Sequence, residues 1–444
     1  MTRISLLSIS SRHFTARVLL FLAGILCLQA GAFAQNVDVI EEPLSLTELD
    51  FLRWVDDQEE SMLSLLETIT NINSGTLNKE GMAEVAAIFA RELNGIGFAT
   101  ETLSGDLIEM PHCPNSDINL DLPDHLLATK GGEGTRLLLM GHMDTVFPID
   151  SPFQEFRRDG DMIRGPGVFD MKGGLVIMLY ALKALDEFGL LDNRTISVLL
   201  NSDEEMGSLS SRKYLEEQAA RHDYGLVFEG SVENRQIRER KGLGQARFVV
   251  YGRASHAGAA HQDGRSAIRE LAYKVIELEN MTDYESGLTV NVGLIGGGEA
   301  RNMVSPCAEA LVDLRYPLPA QGIAARDQFE TIAETSYSVP GGSDDIRTEA
   351  WINLHRPPKI ATPESDHLLN RTIAIGALLG EEIGVADSGG GTDGSLTQAT
   401  GLPTLDSLGI GGFGAHSQRE VAEVASLIRA TRRAAVLMYR LLNE

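Results

Sequence analysis

Three short apolar runs constrain the fold of this chain more than any other feature: "RLLLMG" at 136–141, "TISVLLN" at 195–201 and "YGLVFEG" at 224–230. Between them lie two stretches of helical periodicity, "GGLVIMLYALKALDEFG" and "SSRKYLEEQAARH". A strand that is apolar at nearly every position is covered on both faces, and helical crossovers make successive strands parallel. Ligands of such sheets gather beyond the carboxyl ends of the strands. Each run here ends in polar residues that suit a ligand site: His142 and Asp144 after the first, Glu204 and Glu205 after the second, Glu229 within the third.

Upstream, "LDFLRWVDDQEESMLSLLETITNI" has apolar residues at spacings of three and four and predicts one amphipathic helix; "MAEVAAIFARELNGIGF" predicts another, ending at Gly95 and Gly97. From about Lys241 the rhythm changes. "GQARFVVYGRAS" reads as a strand, "RSAIRELAYKVIELENM" as a helix, "GLTVNVGLIGG" and "AEALVDLRYPL" as strands, "ARDQFETIAETSYS" as a helix and "DDIRTEAWINL" as a strand. That order, β-α-β-β-α-β, is the ferredoxin-like split βαβ module. The expectation is a larger α/β domain with a mostly parallel sheet, built from 35–240 and 354–444, interrupted by an inserted α+β domain at 241–353. A long helix from roughly Arg419 to Leu442 closes the chain.

The first residues differ from the rest. Arg3, Arg12 and Arg17 precede the apolar "VLLFLAGILCL", and Ala32 and Ala34 give a small-x-small cleavage site, so residues 1–34 read as a signal peptide cut after Ala34. The apolar core from Val18 to Leu28 is shorter than the roughly 20 residues a spanning helix needs. A periplasmic or secreted protein with no membrane attachment after cleavage is expected. Cleavage moves the formal charge from −25 to −28, and the chain has no basic run, which excludes nucleic acid as a partner. Only Cys113 and Cys307 remain after cleavage, and a disulfide or two buried thiols are equally compatible with the sequence.

Two further candidates join the strand ends. Asp170 in "RGPGVFDMKGG" directly precedes a helix, and His416 lies in "GIGGFGAHS". Singly each has an ordinary role: Asp170 a helix cap, Glu204 and Glu205 a solvated acidic pair, His416 a turn residue. Jointly, two imidazoles and several carboxylates on one rim form a nitrogen and oxygen set suited to Zn²⁺, with Co²⁺ or Mn²⁺ as substitutes, and unsuited to Ca²⁺. Five ligands are too many for one open tetrahedral ion and fit two ions sharing a carboxylate, which leaves one glutamate free to act as a base.

In order and spacing, "GHMDTVFP", "GPGVFDMKGG", "DEEMGS", "FEGS", "ASHAGAAHQDGRSA", "SGGGTDGS" and "GFGAHS" resemble the M20 metallopeptidases, most closely the bacterial glutamate carboxypeptidases, over about residues 45–444. The resemblance implies that His142, Asp170 and Glu229 hold one zinc and that Asp170, Glu205 and His416 hold the other. Glu204 would then be the general base and acid, and Asp144 would orient His142. It also implies that the inserted domain is a lid through which two chains dimerise, that His256 and Asn302 reach the partner's substrate, and that Arg356, or less directly Arg315, grips the substrate's carboxylate. The chain departs from its relatives at His261-Gln262 and Arg265-Ser266, where no metal ligand lies.

The function expected is hydrolysis of the amide bond to a C-terminal amino acid, glutamate first, in a small peptide or N-acyl amino acid. The alternatives are an N-acyl-amino-acid amidohydrolase or dipeptidase with the same metal residues, or a non-catalytic zinc-binding protein of the same fold.

Overall fold

The computed structural model describes residues 39, 41–113, 119–338 and 345–444; the expected signal peptide lies outside the described residues. A six-stranded sheet has the order Ala99–Leu103, His125–Lys130, Arg194–Asn201, Glu133–His142, Tyr224–Val227, Thr404–Leu405. The last four strands run parallel, and the first two form an antiparallel edge. The three apolar runs of the sequence are the three central parallel strands. In register, His142 stands opposite Asn201 and Met140 opposite Val227, so the polar residues that follow each run emerge at one edge of the sheet.

Helix Lys172–Glu187 is apolar on almost every side because it is buried on almost every side. It contacts the sheet, the C-terminal helix Val424–Leu442 and the N-terminal helices Leu46–Asp56 and Glu59–Thr70. Leu175, Leu179 and Leu182 are fully inaccessible in this core, each contributing about 2 kcal/mol relative to exposure. Two sequence expectations are corrected here. The single N-terminal helix is two, parted at Asp57–Gln58, where "DDQEE" offers four acids and no apolar anchor. The C-terminal helix starts at Val424 and not near Arg419, because Val421–Glu423 is a short strand paired with Met162–Arg164.

The inserted segment has the order expected of it. Strands Gly242–Tyr251, Thr289–Gly297, Cys307–Tyr316 and Arg347–Arg356 alternate with helices Ala267–Glu279 and Pro319–Glu334. They form a separate antiparallel sheet, ordered Thr289–Gly297, Cys307–Tyr316, Gly242–Tyr251, Arg347–Arg356. Its own core centres on Phe248 and Phe329, whose rings meet edge to face at 5.9 Å. Chain entry at Gly242 and exit at Arg356 lie side by side at one end of this sheet. At the other end Cys307 is disulfide-bonded to Cys113 of the main body, the alternative the sequence left open.

Candidate metal centre

His142 is the last residue of its strand and almost inaccessible. Its Nδ1 lies 3.0 Å from the Asp144 carbonyl oxygen and 3.3 Å from Asp144 Oδ1, so that nitrogen donates to Asp144 and Nε2 is the atom turned toward the other carboxylates. Nε2 faces Asp170 Oδ1 at 3.2 Å and Glu229 Oε1 at 3.7 Å. The other oxygen of Asp170 lies 3.2 Å from Nε2 of His416, which in turn sits 3.0 Å from Glu205 Oε2. Asp170 therefore stands between two imidazoles, one oxygen to each, and each imidazole has a further glutamate beside it.

Local structure explains how remote residues meet. The Asp170 loop follows strand Met162–Arg164, and His416 sits in the turn between strands Gly412–Phe413 and Val421–Glu423; the pairing of Val421–Glu423 with Met162–Arg164 brings the two together. Gly174, in the first turn of the helix after Asp170, lets that helix touch the backbone before Glu229: a Cβ there would lie 1.8 Å from the Phe228 carbonyl oxygen. Asp144 is wholly buried and accepts hydrogen bonds from Thr76 Oγ1 at 2.8 Å and from the backbone N–H groups of Glu204 and Glu205 at 3.2 Å each. One carboxylate thus fixes both the imidazole and the acidic turn.

The electrostatics are those of a site built for cations. Burial, and then the Asp170 charge, push Glu205 up to about 8, and burial raises Glu229 well above the usual carboxylate range. Hydrogen bonds to Asp170 and Glu205 raise His416 to about 11; burial opposes charge on His142, yet its bonds to Asp144 and Asp170 raise it well above an ordinary imidazole. The negative charge settles on Asp170, where the two imidazoles overcome burial and hold the carboxyl low. Protons here do the work a divalent ion would do. Two sets of donor atoms lie within 4.8 Å of one another, His142, Asp170 and Glu205 in one and His142, Glu204 and Glu229 in the other, and this nitrogen and oxygen donor set fits the metal ions expected from the sequence.

The site opens into a cleft of roughly 610 Å³ between the main body and the inserted segment. Arg356 and Arg315 both line it. Arg356 is buried: it donates from Nη2 to Glu204 Oε1 at 2.5 Å and from Nη1 to Ser208 Oγ at 3.0 Å, and lies 3.3 Å from Asp393. Arg315 is more open, held by Asp313 and by the Gly389 carbonyl. His256 and Asn302 are exposed and lie together at the Cys307 end of the inserted sheet, where Ala257 N–H donates to the Asn302 carbonyl; neither lines the cleft within one chain. Three cleft features escaped the sequence reading. Arg240 lies 2.6 Å from the buried Asp406, Asp393 backs Arg356 from within the quoted "SGGGTDGS", and burial, with Arg356, Arg315 and Arg212, lowers His355 to about 3.

Comparison with known proteins adds chemistry to this geometry. Residues 138–440 match the model of peptidase family M20/M25/M40. Carboxypeptidase G2 of Pseudomonas sp. (strain RS-16) is 32% identical over 392 residues, covering 86% of this chain and 89% of that protein. Acetylornithine deacetylase of Proteus mirabilis is 30% identical over 278 residues, 58% of this chain and 68% of that one. Among solved structures, an M20 family metallo-carboxypeptidase from Sulfolobus solfataricus superimposes with a TM-score of 0.66 at 17% identity, over 86% of this chain and 99% of that one. Human carnosine dipeptidase 1 does so with a TM-score of 0.66 at 14% identity, over 91% and 100%. At such identities the superpositions speak for the fold alone.

Proposed function

Since the chain belongs to peptidase family M20/M25/M40 and is a metallopeptidase, we propose that it is a two-zinc exopeptidase that removes a C-terminal amino acid, glutamate most readily, from small peptides or N-acyl amino acids. The observation that carries this reading is Asp170, with one carboxylate oxygen toward His142 and the other toward His416. His142, Asp170 and Glu229 would hold one ion, and Asp170, Glu205 and His416 the other. Bound ions of this kind polarise the scissile carbonyl and acidify water.

The chain's own residues do the rest. Glu204 takes a proton from the attacking water and passes it to the leaving amine nitrogen, which needs its carboxylate at the cleft wall, where it lies. Asp144 keeps the His142 proton on Nδ1 and the Glu204 turn in place. Arg315 is the more accessible guanidinium for the substrate's free carboxylate: its side chain is 31% exposed against 2% for Arg356, which is held by Glu204, Ser208 and Asp393.

Two copies would pair through the inserted segment. Its edge strand Thr289–Gly297 exposes Leu294 and Ile295, and the neighbouring helix exposes Ile268 and Ile276, an open edge of the kind proteins normally cover. A dimer would carry His256 and Asn302 to the partner's cleft, and a monomer of full activity in solution would contradict that role. Export with cleavage after Ala34 is supported by the Cys113–Cys307 disulfide, a bond of oxidising compartments; the mass of the mature protein tests it.

The likeness to acetylornithine deacetylase favours a second reading, an N-acyl-amino-acid amidohydrolase with the same metal residues. A panel of dipeptides and N-acyl amino acids differing only at the C-terminal residue separates the two. Glutamate should give the highest kcat/KM; no advantage for glutamate would replace the carboxypeptidase reading by the broader one.

A further inference from the structure

One buried carboxylate beside the metal centre belongs to neither ligand set. Glu420 is 1% exposed, and its two oxygens accept three backbone N–H groups of the Asp170 loop: Gly167 at 3.1 Å, Phe169 at 2.9 Å and Asp170 at 3.1 Å. Three N–H groups converging in one loop form a concave anion site. Here a side chain from some 250 residues away fills it. The loop is shaped for this: Gly167 has φ +79°, and a Cβ there would press on Thr145 and Lys172.

The position of Glu420 in the chain matters as much as its bonds. It lies four residues after His416 and directly before strand Val421–Glu423, which pairs with the strand leading into the Asp170 loop. A single side chain therefore ties the turn carrying one imidazole to the loop carrying the carboxylate between both imidazoles. Burying another carboxylate beside Asp170 is unfavourable in itself, and burial pushes Glu420 up to about 7. Three charge-assisted hydrogen bonds offset that cost, and what they hold constant is the height of Asp170 between His142 and His416. Asp144 does the same for the other acidic segment, through the N–H groups of Glu204 and Glu205.

We propose that Glu420 is a positioning residue of the metal centre, which sets the bridging geometry of Asp170 by organising the backbone of residues 167–170. The inference rests on the metal reading above. Its test is metal binding by the purified protein, using Co²⁺ in competition with a chelator and the visible spectrum of the bound cobalt. Glu420→Gln keeps the shape but turns an amide NH₂ toward N–H donors, and Glu420→Asp keeps the charge but falls short of the loop. Both should weaken Co²⁺ binding 10- to 100-fold, the usual effect of losing a partner behind the ligands, and should alter the cobalt spectrum.

Wild-type affinity and an unchanged spectrum in a folded Glu420→Gln variant would overturn the proposal. So would an equal loss of thermal stability with and without metal, because that is the mark of a purely structural residue. If neither variant folds even with metal present, Glu420 is a determinant of the fold and the positioning role falls. Failure of the wild-type protein to bind Co²⁺ would instead remove the metal reading itself.

Discussion

Replacing both Cys113 and Cys307 by serine cuts the one covalent tie between the main body and the far end of the inserted sheet. Entry and exit of the inserted segment lie at the Gly242, Tyr316 and Arg356 end, while Cys307 pairs with Tyr251 nine residues along the strand, or about 30 Å away. The disulfide thus turns an attachment at one end into an attachment at both. Its closed loop spans 194 residues, for which chain entropy alone sets a ceiling of about 5 kcal/mol; measured disulfides generally deliver 2–4 kcal/mol. Spread over the roughly 2 cal/mol/K per residue that unfolding releases, that corresponds to a Tm lower by roughly 2–5 °C for a chain of this size. The assay is scanning calorimetry of the oxidised protein, the protein reduced by a dithiol, and the double serine variant, together with amide hydrogen exchange. The reduced and variant forms should agree with each other, and faster exchange should concentrate at 251–257 and 302–307, the end that carries His256 and Asn302. Equal Tm values for all three forms, with unchanged exchange at those segments, would refute the two-point attachment.

Glu204→Gln should lower kcat by about 10²- to 10⁴-fold with metal content unchanged, measured on any hydrolysed substrate alongside metal analysis. Gly174→Ala puts a methyl group within 1.8 Å of the Phe228 carbonyl oxygen, so the helix after Asp170 must move off the Glu229 strand; we expect a loss of about 1–3 kcal/mol in thermal unfolding and weaker metal retention on dialysis. Metal affinity should fall as pH falls. At pH 7 the metal-free cluster holds protons on Glu205, raised to about 8, and on His416, raised to about 11, and an incoming cation must expel them. Calorimetric titration in buffers of different ionisation enthalpy should therefore show at least about two protons released per chain at pH 7; no proton release would contradict the assigned ligands.

The sheet and the inserted segment were legible because hydrophobic periodicity records burial directly. The His142 strand is apolar because both of its faces are covered, and the β-α-β-β-α-β order shows in the switch from continuous to alternating patterns. What escaped has a common cause. The strands Arg157–Asp159, Met162–Arg164, Gly412–Phe413 and Val421–Glu423 have two or three residues each, too few for any periodicity, yet they bring His416 to Asp170. The pairs Arg240–Asp406 and Arg356–Glu204 join residues more than 150 positions apart, so no local pattern in the sequence links the partners. The same holds for Glu420, which reads as one more acid before a helix until the three N–H groups it accepts are seen. Metal candidates were easier to find because their residue types are unusual at strand ends, whereas an arginine or glutamate that holds them in place has no such mark.

The central claim is that two divalent ions, sharing Asp170, carry the hydrolysis. It is tested most directly by stripping the protein with a chelator, confirming removal by metal analysis, and following activity as Zn²⁺ is added back. The account predicts that the stripped protein is inactive and that activity returns with a break at about two equivalents per chain, with Co²⁺ or Mn²⁺ able to substitute. Full activity in the metal-free protein would contradict it, and complete restoration at one equivalent would contradict the shared role of Asp170.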